Sequence, residues 1–418
     1  MRVGTYVLTM AGALAVSFVV SFSVLAQQAP APAAPPPAPA VPLGPPAPFY
    51  PHVVATGLRG GYQVVAADMN KDGKVDLIGL GSQNPELIWY ENPYWTPHVI
   101  TREAPRMVNL AAADLDRDGI PELALAYEFS QNSSQNPGKI AILKAGPDPR
   151  ELWTLRTIDT LAMTSHRVRF ATIGNETMLV SAPIITAESK DGFADSAHTT
   201  TPLHVYRPPD WKRETISEES KGVVHGLFIN DWDNDGRLDV ITTGYLGIFA
   251  HMLGQDGKWT RTEIAKGNPE EWPRSGTSDM AIGTFGGKRF FATNEPFHGN
   301  MVVVYQESGG AWTRNVIDTA INNSHALMLV DSDGDGNFEI VSGGTRGAPG
   351  TARGFKPGVF FYKAADATGQ KWDRMVLDPA VAVNNCIAVD VNADRKMDVA
   401  CIDSSDPWSL KWYENSRR

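Results

Sequence analysis

Beyond its first fifty residues the chain is written in short apolar runs of strand length, each closed by turn-forming residues. Val64-Val-Ala-Ala67 is followed by Leu77-Ile-Gly-Leu80, Leu87-Ile-Trp-Tyr-Glu-Asn92 and Trp95-Thr-Pro-His-Val-Ile100. The same order of four recurs. Third runs are Ile140-Ala-Ile-Leu143, Leu203-His-Val-Tyr206, Ile248-Phe-Ala-His-Met252, Val302-Val-Val-Tyr305, Val359-Phe-Phe-Tyr362 and Leu410-Lys-Trp-Tyr-Glu-Asn415, and fourth runs include Trp259-Thr-Arg-Thr-Glu-Ile264 and Trp312-Thr-Arg-Asn-Val-Ile317. The pattern predicts an all-β chain of four-stranded antiparallel units.

Five of the junctions between first and second runs are acidic loops of one design. Their oxygen-bearing residues are Asp68, Asn70, Asp72 and Asp76; Asp114, Asp116, Asp118 and Glu122; Asp231, Asp233, Asp235 and Asp239; Asp331, Asp333, Asp335 and Glu339; and Asp390, Asn392, Asp394 and Asp398. Side-chain oxygens at positions 1, 3, 5 and 9 of a tight loop converge on one point, which suits a hard cation that takes six to eight oxygens. Glycine at position 6 permits the turn in four loops, and Arg395 stands there in the fifth. An EF-hand needs flanking helices and a glutamate at position 12, where this chain has Gly79, Leu125, Thr242, Ser342 and Cys401. The expectation is therefore about five structural Ca²⁺ ions on strand-to-strand loops.

First loop positions fall at 68, 114, 231, 331 and 390, and the two double gaps hide degenerate copies around Thr172 and Thr284, which lack ligands and should hold no ion. Seven repeats of roughly 45 to 60 residues have the period of β-propeller blades. The seventh lacks a fourth run, and Phe49-Tyr-Pro-His-Val-Val54 echoes residues 95–100. The predicted fold is a seven-bladed propeller over 47–418, its last blade completed by this N-terminal strand so that no sheet edge stays open.

The Asp-x-[Asp/Asn]-x-Asp-Gly loops between strands, with the Trp-Tyr-Glu-Asn third strands, resemble FG-GAP or VCBS-type repeats, as in the integrin α-subunit propeller. That resemblance implies the fold and the calcium and leaves the activity open. The Trp-Tyr-Glu-Asn strands and His-bearing inner strands are also similar to the propeller of aldos-2-ulose dehydratase, which eliminates water from oxidised sugars.

Residues 1–26 read as a secretory signal, with Arg2, a long apolar stretch and Val24-Leu-Ala26, or as an uncleaved membrane anchor. Residues 27–46 form a Pro/Ala-rich linker. The implied location is secreted or periplasmic, with membrane contact only if the anchor is retained. The net charge of −10 follows from the eighteen loop carboxylates and points to no cationic partner, and no basic stripe of a nucleic-acid binder is present. Cys386 and Cys401 flank the last loop and are either a cross-strand disulfide or two buried small hydrophobes.

Counting back six residues from each first loop position gives Tyr62, Val108, His166, His225, Ser278, His325 and Asn384. Six strand residues span roughly 20 Å, so this level lies at the far end of the blades from the acidic loops. Three of the nine histidines share it. They could hold a transition metal, or His225 or His325 could act as a general base. Loops between second and third runs emerge on the same face and carry Glu128, Glu188, His198, Glu295, His298, Arg353 and Trp408. The expected ligand there is a carbohydrate or protein, with Tyr62, Arg353, Glu295, His298 and Trp408 as binding residues. The alternative is a lyase or dehydratase on oxidised sugars or uronates, with catalytic His166, His225 and His325.

Overall fold

A computed structural model describes residues 44–130, 138–162, 164–174, 176–185, 199–217, 222–345 and 357–417. The signal or anchor, most of the linker, and Glu188, His198 and Arg353 lie outside these residues. Among the described residues there is no helix, and so none long and apolar enough to cross a membrane.

Seven four-stranded antiparallel sheets form the blades, at 61–101, 109–159, 165–217, 224–265, 279–318, 324–378 and 383–415 with 49–55. The inner strands are Gly61–Ala67, Asn109–Ala113, Ser165–Ile173, Val224–Asn230, Asp279–Phe285, Ser324–Val330 and Val383–Val389. Each packs beside the next, and the seventh packs beside the first, so the ring closes. Closure is completed at the rim as the sequence implied: Phe49–Ala55 pairs antiparallel with Leu410–Asn415, with Phe49 opposite Asn415. The linker boundary shifts slightly. Val376 N–H donates to the Pro45 carbonyl and Ala47 N–H to that of Val376, so the chain is tied to blade 6 before it enters blade 7.

Second strands such as Asp76–Gly81, Glu122–Tyr127 and Asp398–Asp403 are buried at every residue. Neighbouring blades cover both faces of each, which is why they read as unbroken apolar runs. Fourth strands such as Lys212–Ser217 face solvent and are mostly polar.

Polar side chains then lock blade to blade. Gln63 exchanges two hydrogen bonds with the backbone of Leu110, the Asn109 carbonyl oxygen accepts from Val168 N–H, and that of Asn385 accepts from Val64 N–H. A second set works nearer the rim. Tyr206, Tyr362 and Tyr413 donate to Asp159, Asp318 and Asp378, which end the fourth strands of the preceding blades, at 2.7, 2.7 and 2.9 Å. Arg213, Arg374 and Lys411 supply the balancing charge. The third-run tyrosine thus has a reason beyond apolar burial. It staples one blade to the previous one.

The acidic loops join first to second strands as expected. In each, the position-1 carboxylate accepts the N–H groups of positions 5 and 6, as Asp68 does from Asp72 and Gly73. The position-9 carboxylate is buried and accepts the position-2 N–H, as Asp76 does from Met69. Arg395 closes its loop the same way, donating to Asp390 at 2.8 Å, but adopts φ 68° where the other loops carry glycine at 82–91°. Blades 3 and 5 turn instead through tight hairpins at Gly174 and at Gly286-Gly287. Cys386 and Cys401 are directly paired across blade 7 and form a disulfide.

Candidate functional site at the channel end away from the acidic loops

Five of the seven residues found by counting back six share one backbone feature. Tyr62, His166, His225, His325 and Asn384 each fall at a register shift in their inner strand, the residues on either side pairing while they are skipped. A bulge leaves one residue unpaired and re-aims its side chain, and here it lets side chains from separate blades meet on the ring axis.

They do meet. The Tyr62 hydroxyl lies 2.6 Å from His166 Nε2, and its ring centre lies 5.7 Å from that of His325. The His225 ring is 5.0 Å from those of His166 and His325. His298 comes from the turn after the second strand of blade 5, its ring 4.9 Å from His225 and 5.1 Å from His325. Blade 5 contributes Ser278 at the shared level. Its hydroxyl accepts the His298 N–H, and its carbonyl accepts from His225 Nδ1 at 3.0 Å and from the Thr243 hydroxyl at 2.7 Å. His325 Nδ1 likewise donates to the Asn384 carbonyl at 2.7 Å.

Those two bonds fix a tautomer. With Nδ1 carrying the proton, the Nε2 lone pairs of His225 and His325 are free to ligate, the arrangement in which backbone carbonyls orient metal-binding imidazoles. His298 Nε2 stands 3.1 Å from His225 Nε2. Two nitrogens on one tetrahedral zinc, at about 2.1 Å each, would stand about 3.4 Å apart. Ligand atoms of His225, His298 and His325 all fall within 4.8 Å of one another.

The electrostatics agree with ligation. Burial holds His166, His225 and His325 well below their usual range, helped by the positive charge of Arg167, and brings His298 down to about 4. Phe129 and Phe297 pack against the rings at 5.9 and 5.4 Å and help exclude water. Neutral imidazole is the form that binds metal. Burial also raises Tyr62, which keeps its phenolic proton.

Below this group a cavity of about 60 Å³ runs into the channel, lined by residues of every blade, among them Tyr62, Asn109, Arg167, Arg169, Asp279 and His325. Arg167, Arg169 and Asp279 are charged residues that sequence reasoning did not single out. One signal was available: they sit at the next inward-facing levels of the same inner strands.

Other expected residues stand elsewhere. The Glu295 carboxylate is fully buried within blade 5, where it accepts from Thr293, Tyr305 and Arg314. Trp408 lies in the turn before the last strand, where its carbonyl accepts the Leu58 N–H. Neither belongs to the histidine group. His52, His98, His204 and His251 make local contacts with Glu414, Glu91, Thr215 and Thr242.

Comparison with known proteins bears on this geometry at two places. Residues 135–308, which include His166, His225 and His298, match the family of the aldos-2-ulose dehydratase β-propeller domain. Residues 49–125 match the FG-GAP-like repeat family. Both resemblances read from the sequence are therefore met. No curated protein matches the chain. Among solved structures, BBS1N in complex with ARL6DN is similar over 89% of this chain and 98% of that chain, at 9% identity and a TM-score of 0.53. Putative 6-phosphogluconolactonases from Bacteroides uniformis and Bacteroides fragilis align at 13% identity with TM-scores of 0.49 and 0.48, over 81% and 83% of this chain and 88% and 93% of theirs. These likenesses concern the fold alone.

Proposed function

We propose that this protein is a calcium-stabilised propeller that binds an oxidised sugar at the histidine end of its channel and acts on it as a carbon–oxygen lyase. The observation that carries the reading is the convergence of three neutral imidazoles, His225, His298 and His325, two of them oriented by backbone carbonyls. The match of 135–308 to a dehydratase propeller supports the same reaction class.

His225, His298 and His325 would hold a transition metal. A metal there supplies Lewis-acid polarisation of a sugar carbonyl, which acidifies the neighbouring C–H. The protein's own groups do the rest. Because His225 and His325 spend Nδ1 on carbonyls and are poor bases when buried, holding a metal suits them better than proton abstraction. Tyr62 and His166 form a hydrogen-bonded pair that can hold and pass a proton beside them. Phe129 and Phe297 keep bulk water away.

Calcium on the five loops supports the blades. Buried Asp76 and Asp398 are pushed up to about 6 by burial and by neighbouring carboxylates, a cost that a bound cation offsets. The loops lie at the opposite blade end, so calcium acts on the fold and not on the sugar. A signal sequence and an extracellular or periplasmic location fit the disulfide.

The test is turnover of oxidised sugars, followed by the ultraviolet absorbance of the conjugated unsaturated carbonyl that elimination of water forms, with wild type and with His298→Ala. Elimination that is abolished in the variant, with the fold retained, supports the reading. Binding of sugar without turnover in any metal-loaded sample would reduce it to a carbohydrate-binding module.

A further inference from the structure

The channel below the histidines has a charge imbalance. Arg167 is only 7% exposed and lines the cavity, its guanidinium carbon 5.9 Å from the centre of the Tyr62 ring. Arg169 lines the same cavity and donates to the Asn109 side chain at 2.8 Å and to the Val168 carbonyl at 2.7 Å. One carboxylate, Asp279, faces them, and two guanidiniums against one carboxylate leave one positive charge. Among the described residues no ion pair neutralises either arginine. A buried charge without a partner is costly, and ordinary folding would have replaced it. Arginine presents a planar fork matched to a carboxylate.

The cavity is continuous with the histidine group, since Tyr62 and His325 border both. A sugar bound at the histidines therefore has its next carbon atoms above the arginines. We propose that the ligand is an acidic sugar, a uronate, whose carboxylate enters the channel and is held by Arg167 and Arg169. This rests on the sugar-binding reading above and names the substrate class for it. The anion completes the charge balance, and Arg167, over the Tyr62 ring, sets it beside the Tyr62–His166 pair. Asp279 sets the selectivity: it reduces the site's charge to that of a single monovalent anion.

Titration calorimetry with D-glucuronate, D-glucose and acetate tests this on the full chain. Glucuronate should bind at least tenfold more tightly than glucose or acetate. Arg167→Gln should weaken glucuronate by tenfold or more while leaving glucose unchanged. Asp279→Asn should do the reverse, tightening glucuronate severalfold, an outcome a misfolded variant cannot produce. Equal binding of glucose and glucuronate, with neither variant altering it, overturns the proposal and leaves the sugar-binding reading standing. Acetate binding as tightly as glucuronate overturns the acidic-sugar assignment. Binding of none of the three sinks both the proposal and the reading beneath it.

Discussion

The Tyr62 hydroxyl of blade 1 and Nε2 of His166 in blade 3 are 2.6 Å apart across the channel, although 104 residues separate them in the chain. Both sit at bulges of their inner strands. Tyr62→Phe keeps the ring and removes the donor. Turnover is expected to fall by about 100-fold, the usual worth of a positioned proton donor. Stability should fall by only about 1–3 kcal/mol, the cost of leaving a buried acceptor unsatisfied. Steady-state kinetics beside thermal melting separates the two; unchanged turnover would make the pair structural.

The acid side of the stability profile follows from the buried imidazoles. His166, His225, His298 and His325 are all depressed in the folded state, so the unfolded chain takes up protons first, near the ordinary value of 6.5. Their contribution is present above that pH and is lost as pH falls, for His298 down to about 4. Each histidine adds up to about 1.4 kcal/mol per pH unit in its window. Denaturant melts between pH 7 and 5 at saturating calcium, which keeps the raised carboxylates Asp76 and Asp398 ionised and silences their opposite contribution, should show a steep loss of stability that weakens in His298→Gln.

Two of the acidic loops differ from the other three. Lys144 bridges Asp116 and Glu122 in blade 2, and Lys363 bridges Asp333 and Glu339 in blade 6. An ammonium that bridges positions 3 and 9 competes with calcium across the site, whereas Lys74, Arg237 and Lys396 in the other loops reach only the position-5 carboxylate, so these two loops are expected to bind it most weakly. Chelation should lower the melting temperature markedly, because it leaves clustered carboxylates repelling one another. Lys144→Met should raise calcium affinity, read by titration calorimetry, whereas a lysine that merely packs would leave it unaltered.

Arg395 holds a left-handed backbone that costs a non-glycine residue about 1 kcal/mol. Arg395→Gly should therefore raise stability by about that amount without moving the loop, since the Arg395 N–H bond to Asp390 already has the geometry of the glycine loops. Equilibrium unfolding at saturating calcium measures it.

Much of this was legible because the fold repeats. The Asp-rich loops recur at a fixed place, so their spacing gave the blades, and the echo of residues 95–100 in 49–54 gave the closing strand. Counting from the loops also found the level of the channel histidines. What spacing could not convey is direction. The bulges that turn Tyr62, His225 and His325 inward leave no mark on the hydrophobic pattern, and His298 arrives from a turn rather than a strand. Glu295 looked like a mouth residue for the same reason; only the fold reveals Tyr305 and Arg314 waiting for it inside the blade. Arg167 and Arg169 carry no signal in the spacing, which marks only the histidine of their strand.

Element-resolved metal analysis of the purified protein, dialysed against metal-free buffer, tests the central claim most directly. The account predicts about one transition-metal ion per chain beside the calcium, lost in His298→Ala while the calcium stays. Folded protein with calcium alone, or a transition metal that survives that substitution, would contradict it.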